Sequence, residues 1–295
     1  MAFQQYDWKY QQERKRRIAY AATKIAERDE AVRAGRVVPA NAELPIGTGR
    51  RVQAAVLFLD ICSFTTRPSN TEDEQEDLLR ALSIFFTEMF RIVKDYGGDV
   101  EKNTGDGLMA YFADNGDGNG AERAVACAMT MMASNAELTP HVLKTAAPFE
   151  FRIAIDYGPI TVAQIGAPRG FGSIVAIGVT ANIANKMLRF AKGNQIVIGE
   201  QVGRALSQPW QQFCRMFNQE TGFVYLETGA TYPYYLFDAH WKQPTMPLSE
   251  LLASAPIPPP PSLFAPPSDA GRSLFSPPRK PSFPLMMEIL AGKKK

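Results

Sequence analysis

The sequence predicts an α+β domain in which helices cover one mostly antiparallel sheet. Three observations carry that prediction. Apolar runs of strand length alternate with amphipathic stretches of helix length, in the order strand, helix, hairpin, helix, strands, helix, strand. Short Gly-containing turns join neighbouring strands, as antiparallel pairing requires. The 295 residues are 45% hydrophobic and 21% charged, the balance of a globular chain with one or two domains.

Residues 5–34 contain no Gly or Pro and are rich in helix formers, so they read as one long helix. Two roles stand open for it: a stalk that aligns a dimer, or a helix packed on its own domain. Residues 35–50, with Gly, Pro and Asn, read as a linker, which makes 1–50 an N-terminal helix and linker. The core spans 51–240. "VQAAVLFLDI" (52–61) is a buried strand. "TEDEQEDLLRALSIFFTEMFRIVKDYG" (71–97) is a helix with a threonine cap, an acidic first turn and a Gly97-Gly98 stop. "VEKN" and "LMAYF" form a hairpin around "TGDG", and a helix runs from Ala121 to about Leu138. "FEFRIAIDYG" (149–158) and "ITVAQIG" (160–166) are expected to be a strand pair. A helix over 179–191, a strand at 195–199, a short helix and strands near 223–228 and 232–237 complete the core. Residues 241–295 read as a Pro-rich tail, extended or disordered, that serves as a flexible end or as a ligand for a Pro-binding module. A short docking helix at "LMMEILAGKKK" stays open.

Composition excludes several functions. A net charge of +2 argues against nucleic acid or a membrane surface as partner. Cys62, Cys127 and Cys214 lack CxxC spacing and read as reduced core thiols of a cytoplasmic protein. With only two histidines, a zinc site or a Ser-His-Asp triad is poorly supplied. No signal peptide or membrane-spanning run is expected. "GGDVE" (97–101) reads as a helix stop and strand start, and "DNGDGNG" (114–120) as a polar loop without the alternate ligands of an EF-hand. No Walker A sequence is present.

Two carboxylates stand out. Asp60 closes an apolar strand, where a charge is costly unless it is paired or binds a metal. Asp106 sits at the tip of a hairpin. If the two strands pair side by side, both aspartates and one main-chain carbonyl hold hard divalent cations; separately, each is an ordinary cap or turn residue.

"FLDICSFT" (58–65), "EKNTGDGLMAYF" (101–112), "FRIAIDYGPI" (151–160) and "AIGVTANIANKM" (176–187) resemble, in order and spacing, the motifs of the class III nucleotide cyclases. The resemblance covers the 51–240 core. It implies a ferredoxin-like sheet with flanking helices and a homodimer with its active sites between protomers. It also implies two Mg²⁺ or Mn²⁺ ions per site, held by Asp60, the carbonyl of Ile61 and Asp106. Arg152 would hold the triphosphate, and Phe64 and Thr65 belong with the substrate-binding residues. Asn182 would orient the ribose from the other protomer, and Lys102 would read the base. In such a site one metal activates the ribose 3′-hydroxyl for attack on the α-phosphorus and the other neutralises the pyrophosphate. The protein supplies position and positive charge rather than a covalent nucleophile.

The sequence departs from the family in three places. Lys186 stands where the family usually has a transition-state arginine, and a lysine lacks the guanidinium fork; Arg189, three residues on, is positioned to share that role. Residues 223–237 contain no match for a second triphosphate-binding lysine. Val175 stands where adenylate cyclases carry a base acceptor. A donor kept at Lys102 and an acceptor lost at Val175 favour uracil, whose edge offers carbonyls. The chain also resembles the bacterial anti-phage pyrimidine cyclases, which implies cyclic UMP or cyclic CMP, with UTP the favoured substrate here, and a separate effector protein activated by the product. ATP as substrate, and a silent nucleotide-binding or dimerising module, are the alternatives.

Overall fold

The computed structural model describes residues 4–26, 49–115, 119–142, 149–166, 172–216, 222–225, 228–242 and 244–247. Residues 27–34 of the expected N-terminal helix, residues 35–48 of the expected linker, the greater part of the C-terminal tail and the docking helix considered above lie outside the described residues; Gly49 and Arg50, expected in the linker, already belong to a strand.

The N-terminal helix is α1 (Trp8–Ala26), and β1 (Gly49–Ile61) opens the sheet. α2 (Glu72–Asp95) follows, capped as its sequence predicts. The Thr71 hydroxyl accepts the Glu74 N–H, and the Glu74 carboxylate accepts the Thr71 N–H in return. Its far end closes at Gly97, with φ +67°, through bonds from Gly97 N–H to Lys94 and from Gly98 N–H to Val93. "GGDVE" is therefore a helix stop followed by β2 (Asp99–Asn103), as expected. β3 (Gly107–Ala113), α3 (Gly120–Val142), β4 (Phe151–Gly166), β5 (Gly172–Ile177) and α4 (Val179–Met187) come next. β6 (Ile196–Gly199), α5 (Glu200–Ala205), α6 (Gln208–Gln211), β7 (Cys214–Met216) and β8 (Tyr234–Phe237) complete the fold. The strands form one sheet in the order β2-β3-β1-β4-β6-β8-β7, with β5 paired to β4; only β4 and β6 run parallel.

Two strand expectations are corrected. "FEFRIAIDYG" and "ITVAQIG" are not a pair but one continuous strand, β4, which pairs with β1 from Phe151 to Ala163. Gly158-Pro159 does not turn. On the side away from β1, β6 pairs only as far as Ile155 and pairing with β5 begins at Thr161. The edge between them is open, which is where a strand tolerates a residue without an N–H. The partner of residues 161–166 is β5, which the sequence reading did not place. Among the described residues near 223–228 there is an isolated Val224–Thr231 bridge rather than a strand, and β7 was not anticipated.

The alternation of β1 sorts its side chains between two layers. Ala55, Leu57, Leu59 and Ile61 enter the main core beneath α1, α2 and α3, together with Phe151, Ile153 and Ile155 of β4. Ala54 and Val56 enter a second core with Met109, Ile160, Ala181 and Ala184, so α4 covers the opposite face. Asp60 and Arg152 share the parity of that second layer.

α1 packs on its own domain. Tyr6, Tyr10 and Ile18 belong to the main core. Arg14 is fully buried, with Nε 3.0 Å from Glu88 and Nη2 2.9 Å from Glu137. Tyr6 stacks on Trp241 from beyond the last strand, ring centroids 5.9 Å apart. Both chain segments that flank the cyclase-like motifs thus meet on one side of the domain.

Candidate active site

β1 and β4 lie in antiparallel register with Asp60 opposite Arg152, so the two side chains leave the same face of the sheet as neighbours. Arg152 Nε and Nη2 lie 2.9 and 2.7 Å from Asp60 Oδ2. Both contacts fall on one carboxylate oxygen, which leaves Oδ1 to a further cation. On the other side of β1, Asp60 is opposite Gly107, and the Ile61 N–H donates to the Asp106 carbonyl at 2.9 Å. The hairpin tip thereby rests against the end of β1. The main chain thus brings Asp60, Ile61, Asp106 and Arg152 to one end of β1.

The flanking glycines explain how a carboxylate comes to be at that tip. Gly105 has φ +97°, a backbone conformation that side chains disfavour. A Cβ on Gly107 would sit 2.8 Å from the Leu59 carbonyl, so only glycine lets the hairpin approach β1 this closely. Asn103 Oδ1 accepts the Gly105 N–H and tightens the turn. After β1 the chain bends at Ser63, φ 53°, into a short 3₁₀ turn, Phe64–Thr66. The Phe64 side chain packs against the main core, whereas Thr65 is exposed. The loop therefore offers main chain and a hydroxyl rather than an aromatic face.

The donor set suits a hard cation: two carboxylates and a main-chain carbonyl, all oxygen. Among the described residues, no three His, Cys, Asp or Glu side chains gather as a metal cluster. A cation at Asp60 and Asp106 would thus depend on phosphate oxygens to complete its shell, as Mg²⁺ commonly does.

A second group forms where β2 meets β5. Lys102 is half exposed, and its Nζ lies 3.8 Å from Glu101 Oε1. The pairing of β2 with β3 shifts between Val100 and Lys102, so Glu101 is the extra residue of a bulge. The Glu101 side chain is only 3% exposed. Burial pushes its carboxyl above the usual range, while Lys102 and the Ala176 N–H, which donates to it, pull the other way. Ala176 adjoins Val175 on β5, so the two strands that carry the predicted base-reading positions do face each other. Sequence reading missed Glu101; its only signal was a charged residue inside a strand, beside a lysine.

On α4, Asn182 and Lys186 are exposed one turn apart, and Arg189 follows in the next turn. Lys186 Nζ lies 5.0 Å from the Phe223 ring centroid, and the Arg189 guanidinium 4.7 Å from that of Phe190. Among the described residues, no hydrogen bond or ion pair links Lys102, Asn182 or Lys186 to the Asp60 group. The chain thus presents two separate sets of side chains.

Asp156, in the same motif as Arg152, is almost wholly buried. Burial pushes its carboxyl up to about 7, against hydrogen bonds from the Tyr232 hydroxyl, at 2.6 Å, and the Tyr157 N–H. It borders a cavity of about 450 Å³ also lined by Arg51, Thr180, Gln201 and Tyr232. None of Asp60, Asp106, Lys102 and Asn182 lines that cavity. Asp114, in the polar loop, is occupied locally: it accepts from the Gly120 N–H and the Tyr157 hydroxyl. The cysteines form no disulfide, and no helix of the described residues is long and apolar enough to cross a membrane.

Residues 48–236 match the family described as "Adenylate and Guanylate cyclase catalytic domain". The chain is 30% identical over 160 residues to the photoactivated adenylate cyclase subunit alpha-like protein ST- of Euglena gracilis, covering 53% of this chain and 15% of that protein. It is 27% identical over 169 residues to an adenylate cyclase of Anabaena cylindrica, covering 56% and 33%. The chain thus spans a third or less of the length of these relatives. Among solved structures, the fold is shared with the guanylyl cyclase Cya2, at 22% identity and a TM-score of 0.55, covering 64% of this chain and 93% of that one. The adenylyl cyclase CyaB from P. aeruginosa gives 23% and 0.52, covering 64% and 95%.

Proposed function

Because this chain belongs to the adenylate and guanylate cyclase catalytic-domain family, we propose that it is a nucleotide cyclase. It would join the ribose 3′-hydroxyl of a nucleoside triphosphate to its own α-phosphorus, releasing a 3′,5′-cyclic monophosphate and pyrophosphate. The observation that carries this reading is the meeting of Asp60, Asp106 and Arg152 at one end of β1. Two carboxylates for cations beside a guanidinium for phosphate form the charge pattern that phosphoryl transfer needs.

Asp60, the Ile61 carbonyl and Asp106 would hold Mg²⁺ or Mn²⁺. Bound there, the ions supply acidity at the attacking hydroxyl and charge neutralisation at the phosphates. Arg152 grips the triphosphate and keeps Asp60 aligned. Asn182 orients the ribose, and Lys186 or Arg189 offers positive charge to the α-phosphoryl oxygens. The separation of the α4 set from the Asp60 set within one protomer supports a homodimer, in which each active site combines one set from each chain.

For the base we favour UTP: Lys102 presents a donor to a carbonyl, and Val175 presents none of the usual acceptor chemistry. ATP is the second reading, supported by the adenylate cyclases among the chain's relatives. A cyclic UMP product would act through a separate effector, and a role in anti-phage defence follows from the pyrimidine-cyclase resemblance.

The test is direct. Purified protein is incubated with Mn²⁺ and, separately, ATP, GTP, CTP and UTP, and products are identified by mass. A cyclic monophosphate, most from UTP, is the expected result; no cyclic product from any of them refutes the cyclase reading. Asp60→Asn and Asp106→Asn should each abolish turnover while the oligomeric state by gel filtration is unchanged. Near-normal activity in either variant refutes the metal assignment.

A further inference from the structure

We infer that Glu101 is the acceptor half of the base-reading pair, with Lys102 as the donor half. The inference rests on the nucleotide-cyclase reading above and deepens it at the same site. Four observations meet at this residue. Its carboxylate is almost completely withdrawn from solvent. Oε2 has no hydrogen-bond partner among the described residues. Oε1 lies 3.8 Å from the Lys102 ammonium. The Ala176 N–H donates to the carboxylate, which places it against the strand that carries Val175.

A buried, half-satisfied carboxylate is a costly thing for a strand to carry, and strands close such gaps readily with an apolar residue. Here the extra residue of a bulge brings it to that position, and bulges recur where a side chain must be re-aimed next to a site. The neighbouring groups account for only part of it. Lys102 reaches one oxygen from a half-exposed position, and the Tyr111 phenol is pushed upward by burial first, then by the charges of Asp99 and Glu101. The remaining oxygen needs a donor.

A nucleobase edge supplies one. Every base sets a donor beside an acceptor along its Watson–Crick edge. Uracil would give its N3–H to Glu101 and take the Lys102 ammonium on a carbonyl. Adenine would give its amino group to Glu101 and take Lys102 on a ring nitrogen. The acceptor missing at Val175 is thus supplied from the facing strand, one residue before the lysine.

The test measures binding and turnover together on the full chain. The probes are the unreactive α,β-methylene analogues of UTP and ATP, with inorganic tripolyphosphate as a control that has no base. Glu101→Leu should weaken the preferred analogue about tenfold or more, the cost of one lost charged hydrogen bond. It should weaken the other analogue as well, since both bases donate to Glu101, and leave tripolyphosphate binding within about twofold. Glu101→Gln keeps the size of the side chain and a neutral acceptor, and should weaken the preferred analogue about threefold relative to tripolyphosphate. It serves as the test should Glu101→Leu not fold. Equal losses for both analogues and tripolyphosphate, or unchanged binding of both analogues in either variant, would each overturn the inference. Wild-type protein that binds with preference but makes no cyclic product refutes the cyclase reading alone.

Discussion

Asp156 makes a stability prediction whose size follows from its surroundings. Its carboxyl is pushed up to about 7 by burial, against about 3.9 for an aspartate in an unfolded chain. The folded state therefore binds the proton more tightly than the unfolded state. The sign follows: the neutral form fits the fold, and stability falls as pH rises from about 4 to about 7. Over pH 5–8 the loss from this one group integrates to about 2.5 kcal/mol. Asp156→Asn removes the titration while keeping an acceptor for the Tyr232 hydroxyl, which stands 2.6 Å from Oδ1 in the native chain. Urea unfolding of both proteins at half-unit pH steps reads the difference between their stability curves. The separation between the curves should widen by about 2.5 kcal/mol from pH 5 to pH 8, in favour of the asparagine variant. Parallel curves over that range would refute the assignment of a buried, proton-binding carboxyl here.

Two further predictions test other parts of the molecule. Arg14→Met leaves Glu88 and Glu137 facing each other without their shared cation and should cost about 3–5 kcal/mol in denaturant unfolding; adding Glu88→Gln should recover part of it. Lys186→Ala should lower kcat about 10–100-fold with little change in KM, since a charge that meets the developing phosphoryl charge acts late; Arg189→Ala in the same assay shows whether the neighbouring turn shares the work.

Much of the candidate site was legible because its residues break local rules. Asp60 is a charge at the end of an apolar strand, and a Gly-Asp-Gly turn carries more glycine than a hairpin of this length needs. The charge is met by Arg152 across the sheet, and the glycines let the hairpin tip close on β1, where the Ile61 N–H donates to the Asp106 carbonyl. What escaped sequence reading depends on neighbours distant in the chain. Gly158-Pro159 has the composition of a turn, and only the gap between β6 and β5 lets the strand run through it. Glu101 looks like a solvated strand residue until the bulge and β5 enclose it. Arg14 lies in a highly charged helix whose sequence does not distinguish a stalk from a packed element. Its burial is possible because Glu88 and Glu137 come from two other helices, at separations of 74 residues and more.

The same alternation that builds the core also places the chemistry. In β1, odd residues from Ala55 to Ile61 feed the main core and even ones feed the layer under α4. Asp60 inherits the even face, and Arg152, opposite it in register, inherits the matching face of β4. A slip of one residue in either strand would drive one of these charges under α2 and α3, among Leu57, Phe85 and Ile153, and would expose apolar side chains in exchange. Register here is thus enforced by burial of many apolar groups, not by the ion pair, which is partly exposed and by itself weak. The catalytic geometry proposed for Asp60 and Arg152 is held by the hydrophobic pattern of two strands. Polar substitutions within the site should therefore alter turnover long before they alter the fold.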